Sequence, residues 1–312
     1  MTAFFTILGV LVLLLAAILL AAYICYRLTF FVPREQTKDV YRFMKGPQYT
    51  ERQQEMRALL DAAVKLPFED VTVTGADGLR LHGRWYARTP GAPVQILFHG
   101  YRSNALRDFS GGLPLALDSG FNALLVDQRA HGESEGRCLT FGVKERLDCL
   151  TWIQFVREKC GADIPIVPVG ISMGAATVLM ASSLDLPANV AAIIADCGYS
   201  SPEAIIKKVM RDRRLPVFPL YPLVRLGARL FGGFDPNASA AQTELRSCKV
   251  PVLFIHGEDD RFVPCEMSRV NFSACAAEKQ LLTVPTAGHG LSYLVDNRLY
   301  RETVTAFLHR YV

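Results

Sequence analysis

Residues 168–177, PVGISMGAAT, set Ser172 between two glycines where an apolar run gives way to a run of small residues. Such a serine is either a small polar residue in a turn or a nucleophile lifted on a sharp strand-to-helix corner, the G-x-S-x-G elbow. The glycines suit the second reading, because side chains at 170 and 174 would collide with the neighbouring strand and helix where the turn is tightest. A helix starting at Ser172 also turns N–H groups and a partial positive charge toward chemistry on that oxygen. The pentapeptide alone leaves both readings open, so the flanking sequence has to decide.

Working outward, short and fully apolar runs recur: VQILFHG (94–100), NALLVD (122–127), PIVPVGIS (165–172), AAIIADC (191–197), VPVLFIHG (250–257) and KQLLTVP (279–285). Continuous rather than alternating apolarity marks strands buried on both faces, hence a parallel sheet. Longer segments of helical spacing separate them, such as residues 140–161 and 290–312, and alternating β and α segments imply a doubly wound α/β sheet. Residues 68–87, FEDVTVTGADGLRLHGRWYA, alternate around GADG as an antiparallel hairpin does. Hairpin and runs together predict about eight strands. Residues 200–246 carry no strand pattern and read as a small helical cap over the sheet, the alternative being a crossover helix with a solvated basic face.

In open parallel sheets the loops leaving the carboxyl ends of strands face the ligand crevice. Here those loops read HGYRSN, DQRAHGESEG, GISMG, DCGYSS, HGEDDRFVP and PTAGHG. A serine needs a base oriented by a third group, and Ser172, Asp260 and His289 occur in the order expected for an elbow nucleophile. Asp259 and Asp196 compete with Asp260 as the acid. Oxyanion donors are expected from the N–H of Met173, next after the nucleophile, and of Tyr101, where Gly100 allows close backbone approach. His99 reads as a structural anchor of that loop. Asp127, Arg129, His131 and Glu133 resemble a second cluster or metal site, but an Asp/Arg pair suffices for a rigid turn, and Cys197 reads as a small buried residue.

Taken in order, HGYRSN, DQRAHGESEG, GISMGA, HGEDDRFVP and AGHG resemble the oxyanion loop, structural turn, elbow, acid loop and histidine loop of the α/β-hydrolase superfamily, in its monoacylglycerol-lipase and serine-aminopeptidase-like branch. The likeness runs from about residue 68 to 312 and extends, at the N-terminal span, to bacterial membrane-anchored hydrolases. It implies an α/β-hydrolase fold and a serine hydrolase that needs no metal or organic cofactor. Ala130 stands where the D-x-R-G-H-G turn commonly has glycine, and the lipase-type H-G-G-G loop is absent, which bears on the substrate rather than on the machinery.

The N-terminus answers to a different solvent. No Asp, Glu, Lys or Arg occurs between Thr2 and Tyr26, enough apolar chain to cross a hydrocarbon core of about 30 Å. It lacks a basic n-region and a good cleavage site, so an uncleaved anchor (1–27) is expected over a signal peptide. Arg27, Arg34, Lys38, Arg42 and Lys45 follow the span, which places the remainder in the cytoplasm. Residues 28–66 form a juxtamembrane connector whose amphipathic stretch, 48–66, is expected to pack on the edge of the 67–312 domain. Over 312 residues a net charge of +4 is far from a nucleic-acid-binding footprint. The scattered cysteines beyond the span, without a C-x-x-C pair, suit reduced thiols.

The sequence therefore points to a membrane-anchored serine hydrolase of acyl or aromatic esters, acting on a small or lipid-like acyl substrate, its oligomeric state unspecified. Phe218 and Tyr221 of the cap are the expected substrate contacts, and Lys207, Lys208, Arg211, Arg213 and Arg214 the expected neighbours of anionic headgroups. Aminopeptidase, thioesterase or acyltransferase activity on the same fold is the first alternative. For an aminopeptidase the cap offers only Glu203, Asp212, Asp235 and Glu244 to hold an amine. Dehalogenase and epoxide-hydrolase chemistry needs an acid where Ser172 stands. A catalytically silent anchored binding module is the non-enzymatic alternative, and it has no need of a complete Ser, Asp and His order.

Overall fold

The alternation of apolar runs and helical segments is realised as a single eight-stranded sheet in a computed structural model that describes residues 1–33 and 38–312. Arg34, one of the cations counted above, lies outside the described residues. The strands are β1 (Glu69–Thr74), β2 (Arg80–Tyr86), β3 (Val94–Phe98), β4 (Asn122–Asp127), β5 (Ile166–Ile171), β6 (Ile193–Asp196), β7 (Val252–Gly257) and β8 (Lys279–Val284). Their spatial order is β1-β2-β4-β3-β5-β6-β7-β8. The hairpin β1–β2 joins β4 antiparallel, and every pairing from β4 to β8 is parallel. Parallel pairing sends the ends of β3 to β8 to one edge, which is why the loops singled out in the sequence meet there.

Strand alternation builds two cores. In β7, Val252 and Phe254 face one side, and Leu253 and Ile255 the other. The first side is covered by α4 (Glu145–Cys160), α5 (Met173–Ala181) and α6 (Pro202–Asp212), the second by α2 (Gln53–Ala63), α3 (Gly112–Asp118) and α8 (Asn297–Tyr311). Each fully buried aliphatic or aromatic side chain contributes about 1.5–3 kcal/mol, and β3 and β7 are buried along their whole length.

Helix α1 (Thr2–Thr29) is solvent-exposed along Met1–Leu20, while its last turns are not. Ala22, Tyr26 and Phe30 are buried, spaced four apart on one helix face. They pack on α7 (Val217–Gly227), where Gly227 lets the helices close: a Cβ there would overlap the Ala22 carbonyl. Phe231 stacks edge-on against Tyr23 at 5.2 Å, and Phe234 against Phe30 at 5.1 Å. Residues 200–246 are thus helical, and they hold the end of α1. The amphipathic stretch of the connector forms α2, preceded by a short helix, Pro47–Glu51.

Candidate active site

Strand β5 ends at Ile171, and Ser172 turns the chain into α5 with φ 57° and ψ −111°. A non-glycine residue held there costs about 1–3 kcal/mol and persists only where the surroundings enforce it. Those surroundings are backbone. A Cβ on Gly170 would overlap Gly174, one on Gly174 would overlap the carbonyl of Phe98, and the Ser172 N–H donates to the Asp196 carbonyl at 2.8 Å.

His289, in the loop after β8, presents Nε2 2.9 Å from Ser172 Oγ. Its Nδ1 lies 2.6 Å from Asp260 Oδ2. Asp260 follows β7 and is 5% exposed; its Oδ1 accepts from the N–H groups of Phe262 and Val263 at 2.9 and 2.8 Å. Burial alone would raise this carboxyl, but hydrogen bonds from His256 and His289 outweigh it and hold it well below the usual carboxylate range. Asp259 is exposed, and among the described residues its one hydrogen bond is from its backbone N–H to the Ala287 carbonyl. Asp196 lines the same cavity as Ser172 but makes no hydrogen bond to His289.

The loop after β3 lies directly against the elbow: a Cβ on Gly100 would stand 3.4 Å from Ser172 Cβ. The Gly100 N–H is held by Asp108 Oδ2 at 2.8 Å. Neither the Tyr101 nor the Met173 N–H is committed to another acceptor among the described residues. His99 is fully buried, with Nδ1 donating to the Gly100 carbonyl at 2.8 Å and Nε2 accepting from Gln128 N at 3.1 Å. Both its nitrogens thereby hold loops in place.

The residues of DQRAHGESEG do not converge. Asp127 pairs with His82 at 2.9 Å, Arg129 grips Asp148 through two nitrogens and reaches Asp77, and His131 accepts from Arg102 N at 3.1 Å. The turn is hydrogen-bonded, and Arg129 is paired with Asp148 and Asp77 rather than with Asp127. Ala130 adopts φ 67°, the conformation that makes glycine common there. Among the described residues, Cys197, Asp260 and His289 bring potential ligand atoms within 4.8 Å of one another. Asp260 and His289 already bond each other, and burial pushes the Cys197 thiol well up, so this set does not suit a metal ion.

A cavity of about 500 Å³ opens at Ser172 and His289. It runs beneath the sheet past Ile171, Val169, Ile194 and Leu97 to Gln95. Ser172 is level with Gly100 and five residues beyond Gln95 in register, a depth of about 16 Å at 3.3 Å per residue. No lining residue comes from 200–246. Phe218 is 80% exposed, and Tyr221 is buried with its hydroxyl on Asn237, so the expected substrate contacts lie away from the cavity. Tyr221 instead packs in the core cluster with Val224 and Ala228. The connector supplies the outer wall instead, through Phe43, Met44, Tyr49, Met56 and Leu59. The Tyr49 hydroxyl donates to the His289 carbonyl at 2.7 Å and Arg52 to the Leu294 carbonyl at 2.9 Å. Only the amphipathic spacing of 48–66 hinted at this role. Tyr49, Asp108 and His256 carried no local signal.

A mostly parallel eight-stranded sheet with a serine on a strained corner between strand and helix defines an α/β hydrolase. The chain belongs to the alpha/beta hydrolase family, whose pattern matches residues 95–302. Similar proteins include the uncharacterized YqkD of Bacillus subtilis, 29% identical over 68% of this chain and 70% of its own length. The protein bem46 of Schizosaccharomyces pombe is 26% identical over 69% of this chain and 67% of its own. Among solved structures, the Pyrococcus furiosus esterase Pf2001 superposes with a TM-score of 0.63 at 23% identity, over 91% of this chain and 98% of that one. Est1E of Butyrivibrio proteoclasticus, solved with ferulic acid, gives 0.59 at 19% identity over 77% and 98%. At these identities the structural likeness establishes the fold.

Proposed function

We propose that this protein is a membrane-anchored serine hydrolase that cleaves carboxylic esters through an acyl-enzyme, within the monoacylglycerol-lipase and serine-aminopeptidase-like branch. The observation that carries the reading is the continuous hydrogen-bond chain from Ser172 through His289 to Asp260, opening on an apolar cavity. As Ser172 Oγ attacks the carbonyl carbon, His289 Nε2 takes its proton and Asp260, kept ionised, stabilises the imidazolium. The Tyr101 and Met173 N–H groups receive the oxyanion. His289 then protonates the departing alkoxide, and water repeats the sequence to release the acid. The cavity suits an acyl chain, and the esterases among the structural neighbours support an ester over an amide.

The anchor is α1, with a mean hydropathy of 3.0 over its most apolar window. Arg27, Arg34, Lys38, Arg42 and Lys45, which follow the span in sequence, support a catalytic domain on the cytoplasmic side. Detergent-solubilised full-length protein should be labelled by a fluorophosphonate, and Ser172→Ala should not. Turnover of p-nitrophenyl esters should fall by up to about 10⁶ in Ser172→Ala and by about 10⁴ in Asp260→Asn. Asp259→Asn should stay near wild type. Absence of labelling on folded protein would remove the hydrolase reading in favour of a binding module.

A further inference from the structure

We propose that Asp196 recognises a hydroxyl on C2 or C3 of the substrate's acyl group, making the protein selective for hydroxyacyl esters. The inference rests on Ser172 being the nucleophile. Asp196 ends β6 in register with Ile171, the residue before Ser172. Alternation puts Ile194 on the face shared with Leu97, Val169 and Ile171, whereas Ile193 and Ala195 face the other core. Asp196, two residues on from Ile194, joins that first face and lines the cavity with Ser172, His289 and Tyr300.

Asp196 is 4% exposed and has no ion-pair partner among the described residues, and its Oδ1 meets no hydrogen-bond donor. Such an acceptor is costly to leave unmade. The catalytic chain does not use it, because His289 Nδ1 is taken by Asp260. The neighbouring Tyr300 hydroxyl favours the charged form of this carboxyl without offsetting its burial. Burial pushes this carboxyl up to about 6, which leaves it an acceptor at neutral pH.

Position and surroundings select the donor. One strand spacing and one residue step place Asp196 about 6 Å from Ser172 between Cα atoms, beside the first carbons of an acyl group on Oγ rather than at its far end. The wall beside it is apolar through Leu97, Val169, Ile171 and Ile194, and there an ammonium loses far more solvation than a hydroxyl. The lining also carries Arg42, Lys45, Arg102 and Arg107 against Asp108 and Asp196, an excess of positive charge that disfavours a cation.

The test compares p-nitrophenyl hexanoate with its 2-hydroxy and 3-hydroxy analogues and with the norleucine ester, on full-length protein in detergent. Wild type should favour one of the hydroxyacyl esters over hexanoate by about tenfold or more in kcat/KM. Asp196→Leu should bring the hydroxyacyl-to-hexanoate ratio of kcat/KM to about one, and Asp196→Asn, which retains an acceptor oxygen, should restore part of it. Fluorophosphonate labelling of each variant checks that Ser172 is still folded and reactive. Equal rates on hexanoate and both hydroxy esters in labelled wild type would overturn the proposal. So would an equal loss on every ester in a labelled Asp196→Leu, or a preference for the norleucine ester that vanishes in that variant. Failure of wild type itself to label would instead sink the nucleophile assignment.

Discussion

Burial pushes the His131 imidazole down to about 3, and its contacts show what the neutral ring does. Nδ1 donates to the Arg129 carbonyl at 2.9 Å, and Nε2 accepts from the Arg102 N–H at 3.1 Å. Only the neutral tautomer can accept there, so protonation would eject the donor that orders the loop beside the oxyanion residues. The unfolded chain binds a proton near the ordinary histidine value of about 6.5, while the native chain refuses it until about 3. Stability contributed by this residue is therefore present above the unfolded value and drains as pH falls through that window, by at most about 1.4 kcal/mol per pH unit. Thermal melts from pH 7 to 5 should show a falling midpoint. His131→Gln, which keeps an acceptor at the same reach but cannot titrate, should flatten that slope whatever its absolute stability. An unchanged slope would assign the acid sensitivity elsewhere, His99 being next, since burial lowers it too.

Two elements ahead of the sheet grip the loops that carry chemistry. The Tyr101 hydroxyl and the Arg102 guanidinium bond the carbonyls of Thr29, Leu28 and Phe31, closing the carboxyl end of α1 on the oxyanion loop. The connector grips the histidine loop through Tyr49, whose hydroxyl bonds a carbonyl 240 positions away. Losing one such hydrogen bond costs about 1 kcal/mol; felt in the transition state, that is roughly a fivefold loss of rate. Tyr49→Phe should therefore lower kcat about fivefold on a short ester, with KM near wild type and the melting midpoint lower by about 2 °C. A matching rise in KM would mean that Tyr49 shapes the cavity and does not steady His289. The sequence made Ser172, Asp260 and His289 readable because each closely follows an apolar run and parallel strands deliver all such ends to one edge. Tyr49 was not assignable in that way, and Asp196, which also follows an apolar run, could be read there only as a rival acid to Asp260. Their roles depend on which face a side chain takes and on contacts between distant segments, neither of which leaves a local pattern. Phe218 and Tyr221 misled for a related reason: apolar residues in a cap suit substrate, packing and membrane equally well.

At the scale of the whole molecule, α1 changes neighbours at a definite depth. Met1–Leu20 is exposed and Ala22 is wholly buried, and twenty helical residues span about 30 Å, the thickness of the hydrocarbon core. If α1 is the anchor proposed above, the domain is seated where the helix leaves the bilayer. In the segment that holds α1, Leu215, Phe218, Leu230 and Phe231 are exposed large apolar side chains. Arg213, Arg214 and Arg229 belong to the same segment, an arrangement suited to the headgroup layer. Phe218, at 80% exposed, is the sharpest reporter. In liposomes containing anionic lipid, Phe218→Trp should add blue-shifted emission that brominated lipids quench and aqueous iodide does not. Trp85 and Trp152 are buried and supply a constant background. Emission at solvent wavelengths, open to iodide, would lift the cap off the bilayer. Intact mass of the purified chain provides the companion measurement, since retention of residues 1–27 is what the anchor requires and a mass short of that segment would make it a signal sequence.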